Sequence, residues 1–224
     1  MPEPDYFQIT NCIEGFFDRF GDTPQGMGWP NTEDALRRHQ VMLRLIRNAS
    51  VTPAEEPIHV LDLGCGCGQF YEFLKARGTS NIRYTGIDLS ERFIGECRSK
   101  FPEADFRCLD VMKHPELLET FDYAVLNGLF TMKCAMSFDV MWDFVQRLVR
   151  LAFHHTRHGI AFNAMSKHVD WERDDLFHLP MDLLAAFLCS QVSRHFVMRN
   201  DYGLYEFTTY VYHERSEKTV PAPK

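Results

Sequence analysis

An apolar run, Ile58–Leu63, passes directly into Asp62-Leu63-Gly64-Cys65-Gly66-Cys67-Gly68 and then into an amphipathic segment, Gln69–Arg77. Three glycines alternate where a strand turns into a helix, and there the backbone can approach a ligand without Cβ interference. A second apolar run ends in Ile87-Asp88, about 20 residues beyond the loop, where a carboxylate can accept from both ribose hydroxyls of an adenosine. Ser90 is available to cap the following helix, so Asp88 is not needed for that purpose. A dinucleotide loop wants its third glycine at position 69; this chain has Gln69, with the glycine at 68, which disfavours NAD and FAD.

From Ile58 onward the chain alternates short apolar runs with amphipathic segments, the pattern of a parallel sheet covered by helices. The expected strands are Ile58–Leu63, Arg83–Asp88, Asp105–Leu109, Tyr123–Leu126 and Gly159–Asn163. Between them the expected helices are Gln69–Arg77, ended by Gly78, Glu91–Phe101, stopped before Pro102, and Val140–Phe153. Two last runs, His195–Arg199 and Tyr205–His213, flank Asn200-Asp201-Tyr202-Gly203 and read as a hairpin. Ahead of the sheet, Tyr6–Phe20 and Glu33–Arg47 read as two helices around a Gly/Pro loop, with Asn31 and Thr32 as caps and Glu33 and Asp34 at the positive end of the second helix dipole. Prolines 53 and 57 mark a connector after them. The expected organisation is 1–57 helical lid and connector, 58–215 core, and 216–224 frayed tail.

Val60-Leu61-Asp62-Leu63-Gly64-Cys65-Gly66-Cys67-Gly68 with Tyr84-Thr85-Gly86-Ile87-Asp88-Leu89-Ser90 resembles motifs one and two of the class I S-adenosylmethionine-dependent methyltransferases. Phe106-Arg107-Cys108-Leu109-Asp110-Val111 resembles the third motif, and Phe121-Asp122-Tyr123-Ala124-Val125-Leu126-Asn127 is similar to the fourth strand and its exit. The segment Thr23-Pro24-Gln25-Gly26-Met27-Gly28-Trp29 with its Arg-bearing helix looks like the N-terminal region of bacterial small-molecule methyltransferases, where it caps the cofactor cleft. The resemblance implies an α/β fold with a doubly wound, seven-stranded, mostly parallel sheet and an N-terminal helical lid. It implies S-adenosylmethionine as cofactor, lying across the C-terminal ends of the first strands. Gly64, Gly66 and Gly68 would then leave room for the methionine portion, and Asp62 would support the loop or the amino group. Asp88 and Leu89 would meet the ribose, Asp110 and Val111 the adenine. Trp29 and Arg38 become candidates for contact with cofactor or acceptor.

The resemblance further implies methyl transfer to an oxygen or nitrogen of a small molecule. Two other uses of the same site stay open: intramolecular cyclisation of the cofactor with release of methylthioadenosine, and a non-catalytic cofactor-binding module. The formal charge of −7 opposes a nucleic-acid partner, whose binding needs clustered Lys and Arg. Neither a signal peptide nor a membrane-spanning apolar run is present in the sequence, which points to a cytoplasmic protein without a membrane partner. Seven cysteines without paired spacings read as reduced thiols, and no metal-ligand pattern stands out. Catalysis can rest on alignment alone. Asn127 is the candidate positioner, since a carboxamide donates and accepts but takes no proton at neutral pH. His168, beyond the fifth strand, is the first candidate for a base. Asn127-Gly128-Leu129-Phe130 departs from the Asn/Asp-Pro-Pro-Tyr/Phe element of amino-methyltransferases that act on bases or protein amides. Composition leaves the oligomeric state open.

Overall fold

The computed structural model describes residues 5–47 and 57–214. The expected connector, apart from Pro57, and the expected frayed tail lie outside the described residues. The apolar runs form strands β1 (Ile58–Leu63), β2 (Ile82–Asp88), β3 (Asp105–Cys108), β4 (Phe121–Phe130), β5 (Thr156–Ser166), β6 (His178–Leu179), β7 (His195–Arg199) and β8 (Glu206–Tyr212). The helices are α1 (Phe7–Phe20), α2 (Thr32–Leu43), α3 (Gln69–Ala76), α4 (Glu91–Lys100), α5 (Phe138–His154) and α6 (Met181–Gln191).

Strand order is β3-β2-β1-β4-β5-β8-β7, with β6 pairing beside the end of β5. Pairings β3-β2-β1-β4-β5 are parallel, while β8 runs antiparallel to both β5 and β7. This is the expected sheet with one two-residue strand added. The order reverses between β1 and β4, and in open α/β sheets a crevice forms at the carboxyl ends of such a pair. Alternate side chains pack on opposite faces: Leu61, Ile87 and Leu126 join the cluster under α5 and α6, whereas Val60, Tyr84 and Val125 join the one under α2, α3 and α4. Both faces are covered, so β1 is apolar at four of its six positions and buries its two polar residues, His59 and Asp62. The caps form as expected: Asn31 Oδ1 accepts from the Asp34 N–H at 2.8 Å and Ser90 Oγ from that of Phe93 at 3.2 Å.

Four elements differ from expectation. The second helix stops at Leu43, because the N–H groups of Arg44, Leu45 and Ile46 bond three residues back and tighten its end. Strand β4 does not exit at Leu126; it continues to Phe130 through a register shift against β5. Helix α6 and strand β6 were not expected at all. The α6 sequence MDLLAAFLCSQ is apolar over most of its surface and buries Leu184, Phe187 and Leu188, so it carries little amphipathic signal.

Candidate functional site

A cleft of about 1120 Å³, counting its open mouth, lies at the carboxyl ends of β1, β2 and β4 beneath α1. Its floor is the glycine loop. The N–H groups of Gly64 and Cys65 both donate to the Ile87 carbonyl, at 2.7 and 3.1 Å, which ties the loop to β2. Gly64 has φ +77°, and a Cβ there would lie 2.6 Å from the Leu129 side chain, so only glycine suits the position. The N–H of Gly66 donates to Asp88 Oδ2 at 2.9 Å, and that of Ser90 to Asp88 Oδ1 at 2.9 Å. Burial pushes the Asp88 carboxyl above its usual value, opposed by those backbone bonds. Asp88 therefore shapes the loop as well as facing the cleft.

Asp62 is buried beneath the loop and accepts from the Tyr84 hydroxyl at 2.7 Å. Burial raises it to about 7, against the lowering effect of that bond and with a further push from the charge of Asp88. Leu89 and Val111 also line the cleft. Asp110 lines it too, and its carboxylate accepts from the Tyr6 hydroxyl and from the N–H groups of Met112 and Lys113.

The register shift in β4 places Asn127 on the cleft wall with its Oδ1 buried and without a hydrogen-bond partner among the described residues. Gly128, at φ +92°, donates its N–H to Asn163 Oδ1 at 2.7 Å rather than to the strand ladder. The Trp29 ring lies over Gly128 and lines the cleft, 2.5 Å from where a Cβ would stand.

Three expected residues sit elsewhere. Gly68 turns toward Cys97, Phe101 and Phe106, where it lets the start of α3 settle on the core; it is not on the cleft wall. Arg38 lies behind Trp29, 4.3 Å from its ring, with Nε 3.0 Å from the buried Glu206 carboxylate, and is also off the wall. His168 is exposed just beyond β5, its N–H on Ser166 Oγ at 2.9 Å, and does not reach the cleft.

Sequence reading missed His39. It lines the cleft from α2, tilted against Phe70 and Phe73, and is 5% exposed. Its Nδ1 has no partner among the described residues, and burial, with a smaller contribution from Arg38, lowers its pKa to about 4. The helical spacing turned the neighbouring Arg38 toward Glu206 and His39 toward the cleft, since successive residues on a helix point in different directions.

A family profile described as a methyltransferase domain matches residues 60–152. A Mycobacterium tuberculosis H37Rv protein provisionally named as a methyltransferase, Rv1506c, is 30% identical over 167 residues, which are 72% of this chain and 96% of that one. Among solved structures, magnesium protoporphyrin IX methyltransferase of Synechocystis PCC 6803 with bound S-adenosylmethionine superposes with a TM-score of 0.63 at 13% identity, covering 96% of this chain and 99% of that one. The CurJ carbon methyltransferase superposes with a TM-score of 0.56 at 12% identity, over 93% of this chain and 67% of that one.

Proposed function

The chain belongs to the class I S-adenosylmethionine-dependent methyltransferases, and from that membership we propose that it transfers a methyl group from S-adenosylmethionine to an oxygen or nitrogen of a small molecule bound in the cleft. The observation that carries this reading is the convergence of Gly64, Gly66, Asp88, Asp110 and an Asn127 Oδ1 without a partner among the described residues on one cleft at the reversal of strand order. When bound, the cofactor supplies a methyl carbon activated by a positively charged sulfur. The donor set fits it. Asp88 keeps lone pairs for the ribose hydroxyls beyond the two backbone bonds it accepts. Asn127 Oδ1, buried with no donor among the described residues, suits the ammonium of the amino-acid end, since an unsatisfied buried acceptor costs about 1–3 kcal/mol until a ligand pairs it. Asp110 and Val111 suit the adenine end, and Asp62, raised to about 7, can meet positive charge by releasing its proton.

Alignment is the main contribution of the chain to the reaction. Asn127 and the Trp29 ring over Gly128 bound the space next to the loop, and holding reactants there replaces a bimolecular encounter by a positioned one. His168 has no part in this reading, because it is exposed away from the cleft. The fold by itself leaves the acceptor atom open, since one structural neighbour is a carbon methyltransferase. Incubation with methyl-labelled S-adenosylmethionine and a metabolite extract tests the proposal. Labelled small molecule together with S-adenosylhomocysteine is expected. Methylthioadenosine as the product would replace transfer by cyclisation, and label on carbon would overturn the choice of oxygen or nitrogen.

A further inference from the structure

The sheet sets the direction in which the cofactor lies. Asp110 follows β3, Asp88 ends β2, Gly64 follows β1 and Asn127 lies within β4, and these strands are neighbours in that order. With the adenine at Asp110 and the ribose at Asp88, the amino-acid end falls at Gly64 and Asn127. That end is a zwitterion. Asn127 Oδ1 suits its ammonium, and its carboxylate requires a donor close by. Helix α2 packs against both β4 and α3, and it carries His39 to the cleft wall. Taking S-adenosylmethionine as the bound cofactor, we propose that His39, together with the first turn of α3, holds the carboxylate of its amino-acid end.

His39 is 5% exposed, and its Nδ1 has no partner among the described residues. A buried ring nitrogen in that state bears the cost of lost hydration until a ligand pairs with it. The imidazole lies 5.7 Å from the ring of Phe70 and 5.5 Å from that of Phe73, which fixes it beside the start of α3. Gln69 and Phe70, the first two residues of that helix, also line the cleft. Gly68 caps α3 without a side-chain hydrogen bond, and the positive end of a helix favours an anion. Burial, with a smaller push from Arg38, lowers the imidazole pKa to about 4. At neutral pH the ring is therefore uncharged, with one N–H to donate and one lone pair. Donation from an uncharged ring holds a carboxylate without a buried cation. The adjacent Arg38 is turned the other way, with Nε 3.0 Å from the Glu206 carboxylate and the guanidinium behind the Trp29 ring.

The test is calorimetry on the full chain with two ligands, S-adenosylhomocysteine and its decarboxylated analogue, which keeps the adenosyl group and the amine but lacks the carboxylate. Wild type is expected to bind S-adenosylhomocysteine about tenfold or more tightly than the analogue, the scale of a hydrogen bond to a charged group. His39→Phe keeps a ring against Phe70 and Phe73 and removes both nitrogens. It is expected to weaken S-adenosylhomocysteine by about tenfold and the analogue by less than about twofold. His39→Leu gives the same comparison where His39→Phe fails to fold. Equal weakening of both ligands would assign His39 to packing, and unchanged affinity for both would put the carboxylate on another group; either result overturns the inference while the cofactor reading stands. A wild type that does not distinguish the two ligands overturns it as well. Failure of S-adenosylhomocysteine to bind wild type overturns the methyl-transfer reading, and this inference with it.

Discussion

The hydroxyl of Tyr6, on the residue that leads into α1, donates to both carboxylate oxygens of Asp110, at 2.9 and 3.1 Å. The same carboxylate already accepts from the N–H groups of Met112 and Lys113 through Oδ1. An adenine amino group arriving at Asp110 therefore competes with Tyr6 for lone pairs. Tyr6→Phe should raise the preference for an adenosyl ligand over its amine-free purine analogue by about 0.5–1.5 kcal/mol, and Asp110→Ala should abolish that preference. Calorimetry with the two ligands measures both. A smaller preference in Tyr6→Phe would mean that the tyrosine helps the adenine instead.

Asp88 accepts from the backbone of the loop and of Ser90 and is the proposed partner of the ribose. Asp88→Ala should weaken S-adenosylhomocysteine by about 1.5–3 kcal/mol, the scale of charge-assisted hydrogen bonds. Because burial raises the Asp88 pKa, wild-type affinity should fall as pH drops through that raised value, and Asp88→Asn should lose this dependence. Unchanged affinity in the alanine variant would remove Asp88 from the site.

Asp62 makes a prediction about stability. Its folded pKa of about 7 lies above the ordinary 3.8, so between those values the folded state binds more protons than the unfolded one. Stability from this residue is then greatest at the acid side and falls as pH rises through the window, by on the order of 1.4 kcal/mol per pH unit at most. Denaturant titrations of wild type and Asp62→Asn from acid to neutral pH should show a shallower decline in the variant. Parallel curves would mean that Asp62 is ionised throughout.

The buried pair of Arg38 and Glu206 predicts an asymmetry. Glu206→Ala leaves a guanidinium uncompensated and should cost about 3–5 kcal/mol, whereas replacing both residues by apolar ones should cost much less. A double-mutant cycle by chemical denaturation checks this, and additive losses would deny the coupling.

Helix α1 is fastened to the core by side chains at its outer turns: Ser90 Oγ donates to Glu14 at 2.5 Å and Arg92 to Asp18 at 2.6 Å. If α1 acts as a lid, adding S-adenosylhomocysteine should slow amide exchange over residues 6–20 as well as around the glycine loop. Protection confined to residues 64–88 would leave α1 as a fixed wall.

Gly64, Asp88 and Asp110 were legible as positions because each follows an apolar run, after β1, β2 and β3, and the structure brings all three to one cleft; the roles proposed for them come from the family resemblance, not from periodicity. The proposed acceptor side was less legible. The irregular end of β4 at Asn127 and Gly128 depends on a hydrogen bond from Gly128 to Asn163, 35 residues away in sequence, and no local pattern announces it. Arg38 drew attention by its charge, yet the partner that turned it inward, Glu206, is 168 residues distant. His39 was passed over because a histidine inside an ordinary helix has no spacing signature. Helix α6 was missed because its apolar surface gives no amphipathic period to read.

The contact of Trp29 with Gly128 has a bearing on how this protein could be re-engineered. Any side chain introduced at 128 would collide with the indole, so the two positions form a lock in which neither can change size independently. Widening the substrate range would have to begin at Trp29, with a smaller residue there, and only afterwards could position 128 vary. In a mutational library the two would behave epistatically, with variants at 128 surviving only on a background already altered at 29.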